Sequence, residues 1–165
     1  MLVPFEQLSN DARVWVFQSI LPMRTQQKES LLNFMNQFCT QWQSHGNELM
    51  AGYRIERGHF LIVGVDESNK DASGCSIDKL FQGLNEWQTV QGLDFFDRKF
   101  VAFIENDQVK FETIQHVKSN YKSGNFSDNT LIFNTLTNTK TQFNNSFVQP
   151  ISESWIGAGL QKVIV

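Results

Sequence analysis

The sequence predicts an α+β fold, and three observations carry that prediction. Runs rich in β-branched and aromatic residues occur at "RVWVFQ" (13–18), "HFLIVGV" (59–65), "KFVAFIE" (99–105) and "VKFETI" (109–114). Between them, two segments place apolar residues three and four apart: Leu31, Met35, Phe38 and Trp42, then Ile77, Leu80, Phe81, Leu84 and Trp87. Turn-forming residues separate the runs, as at "ERG" (56–58) and Asn106-Asp107.

In chain order, 13–18 reads as the first strand, and Pro22 interrupts the apolar sequence after it. The segment from Gln26 to Ser44 reads as a helix with one broad apolar face. Thr25 is its expected N-cap, Gly46 its C-terminal cap, and His45 suits the negative end of its dipole. A strand is expected from Glu48 to Arg57, and 59–65 is the next one. The second helix starts near Ser76 on this reading, with Gly92 ending its connection. The runs flanking Asn106-Asp107 form a hairpin.

This order is β-α-β-β-α-β plus one strand, the plan of a ferredoxin-like core with two helices on one face of an antiparallel sheet. A five-stranded α+β sheet of other topology is the rival. The chain of 165 residues suits a single domain, 1–165, with a core of about 10–117 and a C-terminal extension of about 118–165. The extension is irregular or partly helical. Its "NTLIFNTLTNTKTQFNNSF" suits a poor helix, a strand pair or an ordered loop, and Trp155 is expected to anchor "PISESWIGAGLQKVIV".

Composition limits function. Lys and Arg number 14 against 17 Asp and Glu, a formal charge of −3, so there is no general electrostatic drive toward nucleic acid or an anionic membrane. No run approaches the length of a membrane span and the start has no leader pattern, so a cytoplasmic chain without membrane insertion is expected. Cys39 and Cys75 form neither a disulfide framework nor a zinc spacing. Neither a phosphate loop nor G-x-G-x-x-G is present.

Chemistry concentrates in "DASGCSID", Asp71 to Asp78. Cys75 at a helix N-terminus meets amide donors and a field that favours a thiolate. Ser73, Gly74, Cys75 and Ser76 are the candidate anion-binding residues, with Arg98 as a forked partner for phosphate or carboxylate. The bland alternative is a capped strand-to-helix turn. Of the histidines, His45 and His59 are placed away from Cys75 by the ferredoxin-like plan, which weighs against a Cys-His pair. Asp66, Glu67, Asp71 and Asp78 lack the spacing of a calcium loop, so no metal site and no cofactor are assigned.

"WQSHG", "FLIVGVDES", "ASGCSID" and "GLDFFDRKFVAF" resemble, in that order, a family of small bacterial proteins seen mainly in the Bacteroidetes and often labelled "ABC transporter ATPase". The resemblance runs from the first strand to "SESW". It implies the label, whereas the chain has no phosphate loop and no LSGGQ-type signature, and ATP hydrolysis is not expected. Relatives resemble one another in a polar ending with His and Arg, where this chain has "SWIGAG". The reading is a cytoplasmic small-ligand or protein-binding domain without catalytic activity. A small anionic ligand and a homodimer through the open sheet face are its expected partners. The alternative is a small cysteine-dependent enzyme or thiol sensor using Cys75.

Overall fold

The computed structural model describes residues 1–160; residues 161–165 of the expected extension lie outside them. The elements run β1 (Arg13–Gln18), α1 (Thr25–Gln41), β2 (Gln43–Ser44), β3 (Asn47–Glu48), β4 (Met50–Glu56), β5 (Phe60–Asp66) and α2 (Gly74–Gln91). They continue as β6 (Phe100–Glu105), β7 (Gln108–Thr113), α3 (Ile114–Ser123), β8 (Leu131–Phe133), α4 (Lys140–Ser146), β9 (Val148–Pro150) and α5 (Trp155–Ala158). The chain divides into two compact units, Met1–Phe96 with Thr135–Asn144, and Asp97–Asn134 with the residues from Asn145 onward.

In the first unit the sheet order is β1-β5-β4, each neighbour antiparallel. β1 and β4 are therefore parallel around β5, which is three-quarters of the ferredoxin-like plan. Register sets the faces: Trp15, Phe17, Leu61, Val63, Val65 and Ala51 join one apolar core with Leu31, Met35 and Cys39 of α1 and Leu80 and Leu84 of α2. Leu31, Leu80 and Leu84 are fully enclosed, each contributing roughly 1.5–3 kcal/mol by burial.

The expected fourth strand is not there. β6 belongs to a different sheet, and the outer edge of β1 is met by Asn138 and Thr139, which return late in the chain. Arg13 bridges Thr139 in antiparallel sense, and the Val14 amide donates to the Asn138 carbonyl at 3.0 Å. At the other edge Leu2 bridges Ala51. The mixed α+β class holds, and the closed ferredoxin-like core does not.

The sheet face turned from the helices is also not bare. Val14, Val16, Phe60 and Ile62 are buried. Phe5 and Leu8 lie against Gly64, and a Cβ on Gly52 would sit 2.7 Å from the Val3 carbonyl oxygen. Lys140, at the start of α4, reaches under this segment. Its Nζ donates to the carbonyls of Glu6 and Leu8 at 2.6 and 2.5 Å, and Phe143 meets Phe5 edge-on with centroids 5.7 Å apart. This cover lies on the helix-free face through which a second copy was expected to dock.

Helix limits shift for local reasons. Arg24, not Thr25, precedes α1, and its amide donates to the Gln27 side chain at 2.8 Å. α1 ends at Gln41 rather than Ser44, because Gln43–Ser44 pair with Asn47–Glu48. His45 and Gly46, both at positive φ, form the hairpin turn between them and cap no helix. Ser73 caps α2, three residues before the expected start, and Gly92 closes it at φ 67° as expected.

In the second unit the sheet order is β7-β6-β8-β9, all antiparallel. Asn106 and Asp107, at φ 50° and 62°, make the tight turn of the β6–β7 hairpin. Val101, Phe103 and Ile132 pack with Val117 and Tyr121 of α3 and with Ile151 and Ile156. Trp155 is not the anchor: it is 41% exposed, with the Lys118 ammonium 5.6 Å from its ring, while Ile156 is fully buried. No helix among the described residues is long and apolar enough to cross a membrane.

Candidate functional site

The β5–α2 junction holds four of the five residues singled out from the sequence, and its hydroxyls are engaged in the turn. Ser73 Oγ accepts from the Ser76 amide at 3.2 Å, and Ser76 Oγ donates back to the Ser73 carbonyl at 2.7 Å. The Ser73 amide donates to Ser44 Oγ at 3.2 Å. Upstream, the Ala72 amide donates to Glu67 Oε1 at 2.9 Å. Ser76 is buried, whereas Cys75 beside it is exposed. A Cβ on Gly74 would meet nothing within 4 Å, so this glycine is not there to let a neighbouring group in closely.

Helix packing brings His45 nearer than the sequence suggested. α1 and α2 are antiparallel on their sheet face, so the end of α1 meets the start of α2. Trp42, just past α1, donates its Nε1 hydrogen to the Ser76 carbonyl at 2.8 Å. The β2–β3 hairpin then sets Ser44 against Ser73, and His45 follows Ser44 at the turn. The expectation that His45 lies at the opposite end is therefore corrected. No hydrogen bond joins His45 to Cys75 among the described residues. His59 is elsewhere, with Nδ1 2.8 Å from the Ser19 carbonyl. Arg98 is exposed and belongs to the second unit.

A line of rings runs to this junction. Phe34 stacks on Phe38 at 6.0 Å, Phe38 meets Trp42 at 5.1 Å, and Trp42 meets Trp15 at 6.1 Å. The Arg13 guanidinium lies 4.9 Å from the Trp15 ring centre and 3.9 Å from Glu67. Trp42 is buried, while Phe34, Phe38 and Trp15 each keep some surface in water. The helical spacing places Phe38 and Trp42 on the apolar face of α1, but Arg13 and Trp15 were missed as their continuation. The available signal was their spacing of two in a strand, which puts both on one face.

Burial separates the two thiols, and hydrogen bonds to backbone amides occupy Asp66 and Glu67. Burial pushes the Cys39 thiol up to about 12. Asp66 is lowered to about 2, chiefly by the hydroxyl and amide of Ser68 and then by Ser9. Its Oδ1 accepts from the Ser68 amide at 2.9 Å and its Oδ2 from the Ser9 amide at 3.2 Å. Asp66 and Glu67 thus hold loop backbone. No three His, Cys, Asp or Glu side chains converge as a metal site among the described residues.

A cavity of about 160 Å³ opens near the same strand end, lined by Glu48, Leu49, Met50, Asp66, Asn69 and Lys70 among others. That is well below the roughly 300–1,000 Å³ of sites that enclose a drug-sized ligand. No protein-family model, curated protein or solved structure matches the chain.

Proposed function

We propose that the chain is a non-catalytic binding domain whose first unit takes a small ligand with a flat apolar body and an anionic group. The observation that carries this reading is the line Phe34–Phe38–Trp42–Trp15 ending on Arg13, with three of its four rings partly in water. Ring contacts contribute roughly 0.5–1.5 kcal/mol beyond area burial, and a flat ligand gains the same contact at a ring edge. Arg13 and Glu67, at 3.9 Å, are both partly exposed, so their pairing is worth only about 0–1 kcal/mol. A carboxylate, sulfonate or phosphate on the ligand competes with Glu67 for the guanidinium fork.

Calorimetric titration with 8-anilinonaphthalene-1-sulfonate, a flat anion, tests this. The expected result is one saturable site, weakened by an order of magnitude in Trp15→Leu and roughly fivefold in Arg13→Gln, the equivalent of about 1 kcal/mol. Absence of a saturable site, or parent-like binding in both variants while their circular dichroism stays native, overturns the reading.

A second reading, thiol chemistry at Cys75, is favoured by the hairpin that brings His45 to the start of α2. Alkylation rate against pH, in the parent and in His45→Gln, tests it. Identical profiles remove His45 from any role.

A further inference from the structure

We draw no further inference here: the strongest candidate, the exposed Cys75 in the first turn of α2 with His45 on the adjoining β2–β3 hairpin, is a lone cysteine at a helix N-terminus, and no bound group or buried unpartnered side chain there points to a ligand.

Discussion

Replacing Lys140 by methionine tests whether the segment returning to the first unit holds it together. The lysine is only 7% exposed, and its ammonium donates to the Glu6 and Leu8 carbonyls at 2.6 and 2.5 Å. Methionine keeps most of the apolar stem and removes both donors. Hydrogen bonds to a charged group contribute about 1.5–3 kcal/mol each, against a desolvation cost of several kcal/mol for the ammonium. The larger effect is the pair of carbonyls left without a donor, about 1–3 kcal/mol each. Together these give a destabilisation of roughly 3 kcal/mol, a large part of the 5–15 kcal/mol typical of a domain. Urea unfolding followed by tryptophan fluorescence reads it directly, and thermal unfolding provides a second measure. For a chain of this size the loss corresponds to about 6–12 °C in Tm. A methionine variant within about 0.5 kcal/mol of the parent would show that β1 and the Phe5 segment do not depend on this contact.

Gly52→Ala is expected to cost about 1–3 kcal/mol, because the added Cβ meets the Val3 carbonyl oxygen at 2.7 Å and backbone has to move. The entropic gain of alanine in the unfolded chain, about 0.4–1 kcal/mol, is smaller, so an unchanged or raised Tm refutes the packing at this strand. Asp66 adds stability that is complete above its ordinary value near 3.8 and is lost as pH falls toward its folded value of about 2. Because the carboxylate is largely solvated, its contribution is discounted to about 1 kcal/mol. Stability of the parent and of Asp66→Asn, compared from about pH 5 to pH 2, should converge at the acid end, and parallel curves contradict the assignment. Of the two thiols, Cys75 should react with a disulfide reagent in the native protein, and Cys39 only after unfolding. Release of two equivalents before unfolding contradicts the burial of Cys39.

The local elements were legible because each is written in neighbouring residues. Leu31, Met35 and Leu80, Leu84 repeat at helical spacing, and Asn106-Asp107 suits the left-handed turn of a two-residue hairpin. Which strand lies beside which is written nowhere locally. "FVAFIE" has the alternation of a strand, but nothing in it distinguishes the edge of β1 from a sheet with β7 and β8. The edge of β1 was instead taken by Asn138 and Thr139, from a stretch whose Asn and Thr content suits strand, turn and loop alike. The partial cover on the helix-free face was illegible for the same reason: it comes from Phe5, Leu8 and Phe143, which lie far from β5 in sequence.

At the candidate site, composition was a poor guide to chemistry. "DASGCSID" is rich in groups that nucleophilic sites use, yet Ser73 and Ser76 satisfy one another and the first turn of α2. Asp66 and Glu67, just upstream, hold backbone amides. The stretch leaves the Cys75 side chain facing water, together with Asp71 and Asp78. The features that extend the site lie outside the stretch: Trp42 reaches it through the packing of α1 on α2, Ser44 from the β2–β3 hairpin, Trp15 meets Trp42, and Arg13 lies over Trp15. If the proposed reading holds, such a surface selects its ligand by ring contact and one cation rather than by the serines. Substituting Ser73 should therefore weaken the helix start, at about 1 kcal/mol for loss of a cap, without changing which flat anions bind.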